Sequence, residues 1–147
     1  MKIGEFLKHK HQRLVTCLPS ETLEGVARLM HANGIGALPV CEIGSTMVGI
    51  VSERDLVRTF ATNAYSELGY LRVRDIMSTR VKSCRPDDDM HDAEQLMRRN
   101  NFRHVPVIDA ERVVGMLSIR DTQALRLQES EEEINVLRDA VVAARHG

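Results

Sequence analysis

The chain has 147 residues and a formal net charge of −1. That balance supplies no global basic field to draw nucleic acid or an acidic membrane surface, although it leaves room for a local cationic pocket. Hydrophobic residues make up 43% and aromatics only 3%, with no Trp, so the core is expected to be aliphatic, in one compact domain or two small ones.

The N-terminal MKIGEFLKHKHQR lacks the apolar stretch and small-residue cleavage site of a signal peptide. No apolar run approaches the roughly 20 residues that a bilayer span needs. Cys17, Cys41 and Cys84 cannot all pair within one chain, and such sparse use fits a reducing compartment. A soluble, cytoplasmic protein is expected. His9 and His11 lie in a Lys-rich segment with no metal-binding partner in reach by spacing.

LVTCL (Leu14–Leu18) reads as a short strand. Pro19-Ser20-Glu21 then starts a helix, with Ser20 as its N-cap. Leu23, Val26, Ala27 and Met30 fall at i, i+3, i+4, i+7, one apolar helical face, and Asn33-Gly34 offers a left-handed C-cap. ALPVCE and TMVGIVS read as two strands joined by Gly44-Ser45. After Ser52 the pattern turns helical to about Thr62, with Leu56, Val57 and Phe60 on one side. TNAYSELGYL reads as a linker, and VRDIM (Val73–Met77) leads into a second series. There VKSCR is a strand, and DDDMHDAEQLMRRN is a helix with Met90, Ala93 and Met97 inward. HVPVIDA and VVGMLS are strands, and a helix starts near Ile119. Asp87-Asp88-Asp89 fits a charged first helical turn rather than a metal site. Pro39 and Pro106 each remove a ladder donor, which places them at a strand start or edge.

The two series are one pattern written twice. Pro19/Pro86, Leu29/Leu96, Met30/Met97, Asn33/Asn100 and Pro39/Pro106 lie 67 positions apart. Gly49/Gly115, Ser52/Ser118, Arg54/Arg120 and Asp55/Asp121 lie 66 apart. The one-residue change of register falls between the paired strands, where a hairpin tolerates it. IGEFL (Ile3–Leu7) looks like the first copy's counterpart of VRDIM. Two copies suit a pseudo-symmetric pair with a shared core: unit 1 over 1–63, a linker over 64–72, unit 2 over 73–127 and a helical extension over 128–147.

Each copy ends in Ser-x-Arg-Asp at a strand-to-helix junction. Ser at the N-cap with Asp at N3 is a capping box, which explains both pairs without a ligand. Capping requires neither the Arg before each Asp nor the Gly three residues before each Ser. Gly permits close backbone approach, and a helix N-terminus favours anions. The carboxylate can accept from two vicinal hydroxyls while the guanidinium pairs with phosphate. A ribose phosphate suits that combination.

The β-α-β-β-α unit, the ALPV/HVPV strand entry and the closing G-h-h-S-x-x-D resemble the cystathionine β-synthase (CBS) domain, and two in tandem resemble a CBS pair, or Bateman module. The resemblance implies an α/β (α+β) fold in which two units pack about a pseudo-twofold axis and leave two clefts. It implies an adenosine-containing regulatory ligand there: AMP, ADP, ATP, NAD or S-adenosylmethionine. Carried over, Asp55 and Asp121 would hold ribose, with Ser52, Arg54, Ser118 and Arg120 near ribose or phosphate. Thr16, Ala37, Leu38, Ser83, His104 and Val105 would contact the base. Arg103-His104 adds charge to the second cleft where the first has Gly36-Ala37, so the second suits several phosphates and the first a less charged occupant. His104 reads equally as a solvated strand residue.

Cys17 and Cys84 occupy equivalent first-strand positions and suit small buried residues. The chain has no C-x-x-C, H-E-x-x-H, nucleophile elbow or P-loop. In the extension, ESEEE (Glu129–Glu133) could interrupt a long helix. Beyond it Ile134, Leu137, Val141 and Ala144 keep heptad spacing, suited to the protein's own core or to a second subunit. The resemblance implies a homodimer that acts on an unidentified regulated protein. Two functions are therefore expected to compete: a non-enzymatic nucleotide sensor, and a ligand-free assembly module in which both S-x-x-D motifs are only caps.

Overall fold

The computed structural model of the protein describes residues 1–10 and 13–146. His11 and Gly147 lie outside them. In chain order the elements are α1 (Ile3–His9), α2 (Leu23–Asn33), β1 (Ala37–Cys41), β2 (Met47–Ser52), α3 (Glu53–Thr62), α4 (Tyr65–Leu68), α5 (Val73–Ile76), α6 (Met90–Asn100), β3 (His104–Asp109), β4 (Arg112–Ser118) and α7 (Ile119–His146). The fold is α+β, with two antiparallel two-stranded sheets, β1-β2 and β3-β4. Their registers correspond: Ala37 faces Ser52 as His104 faces Ser118, and each pair carries one bulge, after Val40 and after Val107.

The expected first strands of the two units shrink to single parallel bridges, Cys17 to Val40 and Cys84 to Val107. The cause is proline. Cys17 N–H donates to Pro39 O and Cys41 N–H to Cys17 O, at 3.1 and 2.9 Å. The next rung on one side would need the N–H of Pro39, and on the other that of Pro19. Neither exists. Around Cys84 the missing donors are Pro106 and Pro86. The four prolines of the chain thus trim both ladders at both ends.

Ser20 is not the N-cap of α2. It sits in a turn, and Thr22 takes the role, its Oγ1 accepting from Gly25 N–H at 2.9 Å. An antiparallel bridge to Arg72 holds Thr22 extended, the backbone state an N-cap requires. At the other end Gly34 closes α2 in the left-handed conformation, φ 62°. On α3 the inward face is Leu56 and Thr59, whereas Val57 and Phe60 are 68% and 53% exposed, against expectation.

The units do not share one core. One buried cluster joins Leu23, Val26 and Met30 of α2 to Leu38, Val40, Val51 and Leu56. The other joins Met90, Ala93 and Met97 of α6 to Val105, Val107, Leu117 and Leu125. What ties the units together is an exchange of lead-in helices. Ile3 of α1 is buried in the second cluster and Val73 of α5 in the first. The backbone bonds repeat: Ile3 N–H to Asp88 O and Gly4 N–H to Pro86 O, then Val73 N–H to Glu21 O and Arg74 N–H to Pro19 O, all 2.8–3.0 Å. The sequence unit and the packing unit are therefore different stretches of chain.

The exchange also accounts for the two repeated glycines. A Cβ on Gly49 would lie 2.7 Å from Met77 Sδ and 2.8 Å from Ser78 O; one on Gly115 would lie 2.8 Å from Leu7 Cδ1. These glycines admit the exchanged segments of the chain itself, so they no longer argue for a ligand.

ESEEE does not interrupt α7, which runs unbroken from Ile119 and so includes the expected boundary at 128. Asp89, not the whole acidic triplet, starts α6, its Oδ1 accepting from His91 N–H at 2.9 Å. That bond holds the Asp89 carboxyl below its usual range. Buried Glu94 of α6 ties it to α7: Arg126 Nη2 donates to Oε2 at 3.0 Å. Arg98 stands 2.8 Å from Oε1 as a charge contact without hydrogen-bond alignment.

Candidate functional site

Both Ser-x-Arg-Asp motifs form caps. Ser52 N–H donates to Asp55 Oδ2 at 2.8 Å, and Asp55 N–H donates back to Ser52 Oγ at 3.3 Å. Ser118 N–H and Asp121 repeat this at 2.8 and 3.2 Å. The remaining contacts differ. Asp55 Oδ1 accepts from Arg58 Nη2 of its own helix at 2.7 Å. Asp121 Oδ2 accepts from Lys10 Nζ at 2.9 Å, and the same ammonium donates to Met116 O. Lys10 arrives at the end of the exchanged α1. Nothing in the local repeat marked it.

Two clefts flank the β1–β3 side of the units. The smaller, about 180 Å³, brings Ser52, Arg54 and Asp55 together with Arg80 and Lys82 on one wall and Phe102, Arg103 and His104 on another. Residues 78–82 reach it because Ser78 bridges to Ile50 as the chain leaves α5. The first unit's motif thus faces second-unit residues. The larger cleft, about 850 Å³, is lined by Ser118 of β4 and Arg120 of α7, by Met30 and His31 of α2, and by Lys10. A hollow of about 100 Å³ beside it holds Arg13, Leu14 and Val15, the first-copy equivalents of 80–82.

Ala37, Arg103 and His104 line both clefts, as does Glu53. Arg103 is therefore not a property of the second cleft alone. Arg54, Arg80, Lys82 and Arg103 stand with Glu53 and Asp55 in the smaller cleft, and Lys10, Arg103 and Arg120 with Glu53 in the larger, so the formal charge balance is the same in both. Arg80 and Lys82 escaped the sequence reading, although Arg80 matches Arg13 at the repeat spacing of 67.

His104 stands on the shared wall near Glu53: a Cβ on Gly36 would lie 2.8 Å from Glu53 Oε1 and 3.2 Å from His104 Cε1. Burial lowers the His104 pKa, against the pull of Glu53 and Asp121. Its imidazole is neutral through a wider range than a solvated one.

The remaining positions fall elsewhere. Leu38 and Val105 are fully buried in the two core clusters. Thr16 lines a separate hollow with Cys17, Cys41 and Gly44. Ser83 and Asp121 are not among the residues lining either cleft. Among the described residues, no group of three or more His, Cys, Asp or Glu is placed to hold a metal ion. None of the described helices is long and apolar enough to cross a membrane.

The CBS domain family matches the chain at residues 4–62 and again at 73–122. The chain belongs to the CBS-domain family. Its two units form a tandem CBS pair. It is 32% identical over 109 residues to the CBS domain-containing protein YhcV of Bacillus subtilis, covering 74% of this chain and 76% of YhcV. A CBS-domain containing protein from Agrobacterium tumefaciens superposes with a TM-score of 0.79 at 30% identity, over 86% of this chain and 99% of that one. CBSX2, solved in complex with AMP, superposes with a TM-score of 0.73 at 27% identity, over 88% and 98%.

Proposed function

We propose that this CBS pair is a regulatory module, not a catalyst, that binds an adenosine-containing nucleotide in the clefts. The observation that carries this reading is the convergence of Arg54, Arg80, Lys82 and Arg103 on the N-terminus of α3. A helix cap needs none of them. Guanidinium and ammonium groups around a helix N-terminus suit phosphate, while Asp55 offers a carboxylate to ribose hydroxyls once Arg58 turns outward. The AMP found on CBSX2 supports the same class of ligand. AMP, ADP, ATP, NAD and S-adenosylmethionine share the adenosyl part. The four cationic side chains of the smaller cleft favour those with phosphates over S-adenosylmethionine.

The ligand would touch both units and favour one packing of them, by its differential affinity for the two states. The module would act as a homodimer in the cytoplasm and pass the change to a regulated protein. The competing reading, a ligand-free assembly module, is favoured by one observation: both oxygens of Asp55 are already satisfied within the chain.

A thermal-shift titration with the five ligands separates the two, run on wild type, Asp55→Asn, Asp121→Asn and Arg80→Ala. At N3 the Asn carbonyl can still accept from the N-cap N–H, so the cap survives, and because each variant gives up an ion pair, with Arg58 or with Lys10, its ligand shift is read against its own ligand-free midpoint. Ligand at 100 times its dissociation constant should add about 2.7 kcal/mol. The sensor reading expects that rise in wild type and its loss in Arg80→Ala and Asp55→Asn. No rise with any ligand, in protein that carries no bound nucleotide, would leave the assembly module.

A further inference from the structure

From Ser130 to His146 every residue of α7 is exposed. This part of the helix extends past the body of its own chain. Most helical stability in proteins comes from packing an apolar face, and the stripe left unpacked here is not polar: Ile134, Leu137 and Val141 are 48%, 66% and 51% exposed.

Leu127, Ser130, Ile134, Leu137, Val141 and Ala144 follow one another at alternating steps of three and four. That is an unbroken a/d heptad seam beginning two residues before the acidic run. Thr122 and Leu125 are the residues of α7 buried in its own unit. At 100° per residue the mean direction of the seam lies about 120° from that of Thr122 and Leu125. With every seam residue exposed, the seam does not cover the core of its own chain.

We propose that the seam is the contact face of a parallel two-stranded coiled coil with a second copy of this chain. The inference rests on the homodimer reading above and assigns the contact and its direction. The choice of a and d residues decides the direction. Two β-branched residues, Ile134 and Val141, fall at a, and Leu137 falls at d between them, the distribution that favours parallel dimers. Parallel pairing sets Ser130 against Ser130, where the hydroxyls can bond each other. The antiparallel register that centres on Ile134 and Leu137 would set Ser130 against Val141 and leave the hydroxyl unpaired.

Charge agrees with parallel pairing. Glu133 at g lies across from Arg138 of the second copy at e, once on each side of the twofold axis. Arg126, the g residue one heptad before Glu133, is already held by Glu94. Charge alone would not settle the matter, since Glu131 could meet Arg138 in the antiparallel arrangement.

The test is sedimentation equilibrium on the full chain, with far-UV circular dichroism to confirm that the body stays folded. Wild type should be a dimer. Leu137→Glu, a change at an exposed position of the isolated chain, should raise the dimer dissociation constant at least about tenfold by burying a charge in the seam. Arg138→Glu should weaken the dimer, and adding Glu133→Arg should restore it, a rescue that the antiparallel arrangement does not predict. Ala144→Cys alone should give a disulfide-linked dimer with diamide, since the native cysteines are buried. A wild-type dimer indifferent to Leu137→Glu would overturn the coiled coil while leaving the homodimer. So would crosslinking only when Ala144→Cys and Leu127→Cys chains are mixed, the antiparallel result. A monomeric wild type would overturn both and mean that the seam serves a different partner.

Discussion

Lys10 Nζ sits 2.9 Å from Asp121 Oδ2, joining the last turn of the exchanged N-terminal helix to the capping carboxylate of the second unit. Both side chains are mostly buried. The contact holds α1 against the unit it has crossed to. Replacing Lys10 by Met removes the ammonium from Asp121 and from the carbonyl of Met116. Urea denaturation should show a loss of about 1–3 kcal/mol, the usual cost of leaving such groups unsatisfied. Asp121→Asn should lose less, because the cap survives and Lys10 keeps the carbonyl.

Gly49 and Gly115 are equivalent in sequence but should respond unequally to alanine. The new methyl at 49 meets the backbone carbonyl of Ser78 as well as Met77, while at 115 it meets only the end of the Leu7 side chain. A leucine can change rotamer, whereas the Ser78 carbonyl is held by the bridge to Ile50. Gly49→Ala should cost about 1–3 kcal/mol and Gly115→Ala clearly less. Equal losses in paired thermal melts would contradict the exchanged packing at α5.

His104 makes stability depend on pH in a defined direction. Its folded-state pKa lies below the ordinary value of 6.5 because burial disfavours the cation. Below about pH 6.5 the unfolded chain binds a proton that the folded chain resists, so stability rises with pH there and levels off above it. The contribution is complete above the unfolded pKa and is lost on acidification toward the lowered one. His104→Gln should flatten the stability profile below about pH 6.5, measured by denaturant titration at each pH.

The cysteines should be inert while the protein is folded. Burial raises Cys17 to about 12 and Cys84 to about 11, with nearby Glu21 and Asp88 adding to the respective shifts, and it raises Cys41 as well. The thiolate is the reactive species. A colorimetric thiol reagent at pH 8 should therefore react slowly with native protein and release three equivalents after denaturation. Fast reaction of any one thiol would show a local opening next to a parallel bridge.

Elements built from near neighbours were legible in the sequence, because short-range sterics and periodicity decide them. The hairpin strands, the span of α3, the left-handed end of α2, the buried face of α6 and both S-x-x-D caps belong here. So does the repeat itself, which led to the family. The four prolines were also visible, but their effect was not, since a missing N–H matters only once the parallel partner is known. Tertiary structure alone decided what depends on segments distant in sequence: the crossing of α1 and α5, the role of Gly49 and Gly115, the arrival of Lys10 at Asp121, and the convergence of Arg80 and Lys82 with Arg54 in one cleft. Ser20 and Thr22 show the same division, since both are good caps by composition and the bridge from Arg72 selects between them. A local pattern fixes an element, but only the closing of the chain brings a charge to a site.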